Sequence, residues 1–233
     1  MDPHQNRRHE QARTAGAVAL AMVSGATDAL GFLALGGVFT SVMTGNMVLL
    51  GTSVGRLDRD LAVHSVAAIV CFVLGCVAGA RIAGAAEPND PVWPAAITRA
   101  IWVETAAMVV VAITWWSSGS HPGENIQILI LVLNAFALGV QSSAVLRFGV
   151  SGLSTTYLTG TLTTLVTRLA HRHRFRDMLP SAIILAGLIS GAAIMSVVLR
   201  FAPTVAPALQ LSGIAVALLL GTFTQRSWRP GTP

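Results

Sequence analysis

Charge is scarce in this chain, and lysine is missing from it altogether. Asp, Glu and Arg make up 11% of 233 residues, where a soluble domain carries about 25% charged residues. So little charge cannot clothe a globule of this size in water, and most soluble enzymes are excluded with it. All 15 basic residues are arginine and the net charge is +5, but no aromatic platform accompanies them, which argues against a nucleic-acid partner. Cysteine occurs twice, at Cys71 and Cys76 in one apolar run. That spacing is neither a zinc nor a redox pair, and it fits small apolar packing. There is no His-Glu-x-x-His, no nucleophile elbow and no pair of aspartates in facing spans. No enzyme, metal site or cofactor is therefore expected.

What is present in excess is apolar length. Hydrophobic residues make up 53% of the chain and the mean hydropathy is +0.67. An α-helix crosses about 30 Å of hydrocarbon with about 20 apolar residues. Six runs qualify, at about 14–35, 61–83, 98–116, 125–146, 179–199 and 204–223. The expected fold is an all-α membrane protein, one integral domain over residues 1–233. Its first run contains Asp28 and is followed by others, so it is read as a retained helix and not a signal peptide. Gly36-Gly37, the polar stretch Glu87–Pro94 and the Ser117–Gly123 turn punctuate the runs. Pro180 and Pro203 stand where the fifth and sixth begin, as proline tolerates at a helix start. Trp93, Trp115, Trp116 and Trp228 fall at run ends, where interfacial anchors belong.

Two segments stand outside that pattern. Residues 36–55 are moderately apolar and rich in Gly, Thr and Ser, and residues 148–167 are richer still in hydroxyls. Sliding the chain by 115 residues superposes them: Gly37 on Gly152, Thr40 on Thr155, Thr44 on Thr159, Gly45 on Gly160. Gly75/Gly79 and Gly187/Gly191 pair off at a slightly different offset. They suit close helix packing, within one chain or between copies in a homo-oligomer. The chain thus reads as two three-helix repeats, about 14–116 and 125–224, each with a Thr-Gly-containing re-entrant or half-helical segment. If those segments do not cross, the repeats are inverted. Twelve arginines then lie inside against three outside; eight crossings would give eleven against four. The positive-inside rule favours six crossings, with both termini on the cytoplasmic side of the cell membrane in either case.

Ionisable and polar residues within spans are the candidates for function. Asp28 lies roughly 20 Å into the first. A carboxylate there costs about 2.5–3.5 kcal/mol, so it needs a partner, a proton or water. It suits a proton- or cation-coupling residue or a substrate contact or, equally, a structural group bonded to a helix N-terminus or paired with a buried Arg; Ser143 takes its place in the second repeat. Glu104 is buried about two turns into the third span or snorkels from its end. Asn134 and Gln141 share one face of the fourth. His64 opens the second and is read as interfacial. Thr44-Gly45-Asn46, with Thr40 and Ser41, offers polar groups beside a flexible backbone, and Thr155, Thr159 and Gly160 answer from the second repeat. Irregular backbone in lipid is tolerated only when buried in protein or lining a cavity, so these residues are candidates to line a solute or ion pathway.

The run Ser24–Asn46 carries Gly25-x-x-Asp28-x-x-Gly31-Phe32 followed by Thr44-Gly45-Asn46. It resembles the start of the YoaK-type family of bacterial multi-pass membrane proteins, a domain of unknown function. The resemblance extends over the chain in length and layout, although Thr161 replaces the Asn in the second repeat. It implies a membrane protein and names no substrate. Two function classes stay open. One is a small secondary permease of unknown solute or ion, coupled through the buried Asp28. The other is a non-transporting scaffold, regulator or accessory subunit.

Overall fold

A computed structural model describes residues 3–85, 93–146, 158–171 and 175–227, and all regular structure among them is helical. Eight α-helices occur among the described residues: α1 (Pro3–Ala34), α2 (Met43–Arg56), α3 (Arg59–Ala83), α4 (Ala95–Ser117), α5 (Glu124–Leu146), α6 (Leu158–Ala170), α7 (Phe175–Phe201) and α8 (Ala206–Ser227), the last led in by a 3-10 turn at Pro203–Val205. Six contain stretches long and apolar enough to cross a membrane: Thr14–Ala34, Arg59–Ala83, Ala95–Ser117, Glu124–Leu146, Met178–Phe201 and Pro203–Thr222. These are the six expected runs, displaced by a few residues. The Gly-Thr segments form the two shorter helices, α2 of 14 residues and α6 of 13. Gly152, Thr155 and Thr156, Trp228 and the loop residues 86–92 lie outside the described residues.

Local chemistry explains the ends. Gly36 and Gly37 take φ of +93° and +75° and stop α1, a backbone that side-chain-bearing residues rarely adopt. Leu57 caps α2 in the left-handed region, and Asp58 then opens α3 by accepting the Leu61 N–H at 3.1 Å. That is an ordinary Asp N-cap. Pro180 does not open a helix: α7 begins five residues earlier, at Phe175, and proline is accommodated inside its second turn.

Two tryptophans expected as lipid anchors are buried clamps instead. Trp115 donates from Nε1 to the Pro203 carbonyl (2.9 Å), and Trp93 donates to Thr98 Oγ1 (3.0 Å) while its ring packs on Gly16 and Gly221. Their N–H groups find partners inside the protein, so they need no headgroup region. Trp116 stays half exposed and donates to the Thr204 carbonyl (2.8 Å). The α4 C-terminus therefore sits at the start of α8, the α4 N-terminus sits at its end, and the two helices run antiparallel.

The packing falls into matched pairs. α3 lies along α5 as α7 lies along α1; α1 contacts α8 as α5 contacts α4; α2 lies on α3 as α6 lies on α7. α4 also meets α8, and α1 meets α5. Exchanging α1–α4 with α5–α8 leaves this pattern unchanged. Burial follows it: 67% of the membrane stretch is buried in both α1 and α5, against 28% in α3 and 22% in α7. α1, α4, α5 and α8 thus form the centre, and α3 and α7 flank it with valine, leucine and isoleucine facing outward.

Glycine sets the closest contacts. A side chain on Gly75 would collide with the Phe136 carbonyl, and one on Gly79 with Val140 and Ser143. On the matched pair, Gly187 and Gly191 lie against Val18 and Met22. All four glycines are used within one chain. Gly75→Leu should force α3 from α5 at a cost of about 1–3 kcal/mol or more, as overpacking does. Its melting temperature in detergent should fall well below that of Gly51→Leu, where the structure leaves open space.

Candidate functional site

The break between α1 and α2 is built around one carboxylate. Beyond Gly37 the chain turns back along α1, so that Thr40 and Ser41 reach Asp28. Asp28 Oδ1 accepts the Thr40 N–H (2.7 Å), the Ser41 N–H (2.7 Å) and the Thr40 hydroxyl (3.0 Å), while Oδ2 accepts the Ser41 hydroxyl (2.5 Å). These donors sit just ahead of Met43, the first residue of α2. Gly31 leaves room for the Val38 carbonyl.

The Thr-Gly-Asn segment closes the same turn. Asn46 Nδ2 donates to the Phe39 carbonyl (2.6 Å), and its Oδ1 accepts the Phe39 N–H (2.9 Å). Phe39 stacks on Phe32 with ring centroids 5.2 Å apart. Gly45 lies against the Phe39 ring, and Thr44 is exposed. The polar groups of Thr40, Ser41 and Asn46 are thus engaged by the turn itself. At the far end, His64 of α3 is buried against Gly36, with Nδ1 beside the Asp60 carbonyl (2.7 Å). The start of α3 thus lies beside the end of α1, and His64 is covered by protein there. In the second half Thr159 and Gly160 are exposed on α6, and Thr163, Thr164 and Thr167 bond back to carbonyls four residues earlier. Thr155 lies outside the described residues.

A second polar group of residues occupies the centre. Gln210 Nε2 donates to Thr27 Oγ1 (2.9 Å) and to Asn134 Oδ1 (3.2 Å), joining α8 to α1 and α5. Asn134 and Thr27 each donate to the carbonyl four residues earlier, of Ile130 and Val23. One level further along, Gln141 Nε2 donates to Ser24 Oγ (3.0 Å). Going from Asn134 to Gln141 on α5 means going from Thr27 to Ser24 on α1, so those helices run antiparallel. Glu104 on α4 is fully buried, and neither of its oxygens has a hydrogen-bond partner. Of the expected site residues, the structure joins Asp28 with Thr40 and Ser41 and sets Glu104, Asn134 and Gln141 in the core. Gln210, Thr27 and Ser24 complete the network. Gln210 had a signal, being the one amide within the last apolar span.

Comparison with known proteins agrees with this layout. Residues 16–222 match a family described as "Protein of unknown function (DUF1275)". The chain belongs to that family. This DUF1275 chain is 32% identical over 157 residues to the UPF0700 transmembrane protein YoaK of Bacillus subtilis (strain 168), with 67% of each chain covered. No solved structure matches it. It is thus a multi-pass membrane protein of the YoaK type, and the two sequence signatures that suggested the family are the two halves of the Asp28–Asn46 turn.

Asp28→Ala would strand two backbone N–H groups and two hydroxyls in a buried turn, and each unsatisfied donor costs about 1–3 kcal/mol. Asp28→Ala should therefore give little folded protein by gel filtration. Asp28→Asn, which keeps an oxygen for the two N–H groups, should fold with a lowered melting temperature.

Proposed function

We propose that this protein is a small secondary permease of the cytoplasmic membrane, built from two inverted three-span repeats that move a small solute or ion along the axis between them. The observation that carries this reading is the location of the polar core. Ser24, Thr27, Glu104, Asn134, Gln141 and Gln210 are all buried, and all lie on the four central helices. An ionisable residue held inside the membrane, here Glu104, marks a substrate or ion pathway by default, and inverted repeats place such sites near the midplane.

Several features support inversion. The helix contacts are unchanged on exchanging the halves, and the matched helices α1 and α5, like α4 and α8, run antiparallel. α2 returns the chain to the end of α1 from which it left, which fits a re-entrant segment. The arginine distribution then puts both termini in the cytoplasm. The cargo is a small solute or ion, and no nucleic acid, cofactor or catalytic step enters the reading. A scaffold or accessory subunit is favoured by one observation: the signature residues Asp28, Thr40, Ser41 and Asn46 bond to their own turn.

Two measurements test this. In a background lacking Cys71 and Cys76, Gly119→Cys should react with an impermeant maleimide on intact cells, and Gly84→Cys only after permeabilisation. Reaction of Gly119→Cys only after permeabilisation would mean that α2 and α6 cross and would remove the inverted repeat. In proteoliposomes, stopped-flow light scattering with polyols, urea, amino acids and small carboxylates should show at least one class entering faster than in empty vesicles. Equal rates for every class would replace the permease by the scaffold.

A further inference from the structure

Two buried acceptors near the middle of the bundle have no donor. Glu104 is fully buried with both oxygens unpartnered, and Gln210, 1% exposed, uses its Nε2 but leaves Oε1 bare. The α4–α8 register brings them to one level. From the Trp115–Pro203 clamp, Glu104 lies 11 residues down α4 and Gln210 seven residues up α8, about 16 Å and about 11 Å of helix. From the opposite end, where Trp93 packs on Gly221, both lie 11 residues in. Their axial separation is therefore about one turn or less.

Acceptor oxygens in a dry core need something positive beside them, and among the described residues no side chain is bonded to either. The one titratable residue of α5 is Glu124, exposed in its first turn. That of α8 is Arg226, in its last turn. α3 brings Arg59, Asp60 and His64 at its start, Arg81 near its end, and the thiols Cys71 and Cys76 between. On α4 itself Arg99 is exposed, and Asp28 of α1 is committed to the α2 turn. Amides and carboxylates without bases leave a proton as the smallest group that satisfies both oxygens: on Glu104 it turns one acceptor into a donor that the other can receive.

We propose that Glu104 holds a proton at the middle of the membrane and that the Gln210 carboxamide oxygen is its acceptor across the α4–α8 interface. The role given to that proton rests on the permease reading above. α4 belongs to the first half and α8 to the second, so the bond from Glu104 O–H to Gln210 Oε1 ties the halves together. When the proton leaves to water the O–H bond breaks, the tie is lost, and the bare carboxylate draws water into the interface. When it returns, the bond and the tie re-form; no other bond changes. The proton thus binds the tied arrangement better than the opened one, which is what coupling requires.

Infrared absorption of reconstituted protein tests the site without reference to any solute. At neutral pH in sodium-free potassium buffer, wild type should show the carbonyl stretch of a protonated carboxylic acid. Glu104→Gln should lose it, and Gln210→Leu should shift it to higher frequency as the acceptor disappears. Should Glu104→Gln fail to fold, the Gln210→Leu shift still reads the assignment on a chain that keeps Glu104. No band in wild type, a band that survives in folded Glu104→Gln, no shift in Gln210→Leu, or a band that added NaCl abolishes would each overturn the proposal; the last would place sodium there instead. An internal pH dye, read in the same vesicles together with solute entry, separates the two claims. The band without proton or solute flux would overturn the permease and leave the protonated site. Flux without the band would overturn the site and leave the permease.

Discussion

A chain that stops being helical inside a packed bundle must find new partners for the N–H and C=O groups it frees. Between Ala34 and Met43 two side chains supply them. Asp28 takes the N–H groups of Thr40 and Ser41, and Asn46 takes both backbone groups of Phe39. The rest of the first half depends on this solution. It lets the chain turn at Gly36, sets α2 against α3, and returns α3 to the level where α1 ended. Without the turn α1 and α3 could not lie as they do, and α3 could not run beside α5 through its glycine face.

The same economy shapes the centre. α1 and α5 are largely surrounded by protein, and polar residues there are screened from lipid by their neighbours. Amide-to-hydroxyl and amide-to-amide bonds between membrane helices are modest, about 0.6 kcal/mol each, so Gln210 with Thr27 and Asn134 contributes more to register than to stability. The two halves are matched in packing but not in chemistry. Asp28 and Glu104 belong to the first four helices and Gln210 to the last four. The frame is shared, and the polar groups are divided between its halves.

The membrane spans were legible because a 20-residue apolar run is a local property, and their ends were found within a few residues. The start of α7 was missed because Pro180 suggests a beginning wherever it stands, and only the helix ahead of it shows otherwise. Asp28 was visible as a costly residue, and a helix N-terminus was one of its two expected partners. Choosing between the two needed the fold-back at Gly36, which is tertiary. Thr40, Ser41 and Asn46 drew attention as polar groups in an apolar setting, and a sequence does not show whether such groups face a pathway or each other. Trp93 and Trp115 lie at span ends as lipid anchors would, but their partners come from distant helices. Gln210 is a lone amide in its span, and only the packing of α8 against α1 and α5 gives it partners.

The order in which these contacts become possible follows from their spacing along the chain. The groups that receive Asp28 are 12 and 13 residues downstream, so this acid can be covered almost as soon as it leaves the ribosome. The long partner of α1 is α7, and its amide partner is Gln210, 183 residues beyond Thr27. During synthesis the first helix therefore waits, the one acid of its membrane stretch already sheltered and its small-residue face bare, until α7 and α8 have been made. A chain cut short before α7 would leave that face to lipid or to the insertion machinery, which makes completion of the last two helices the natural checkpoint of its assembly.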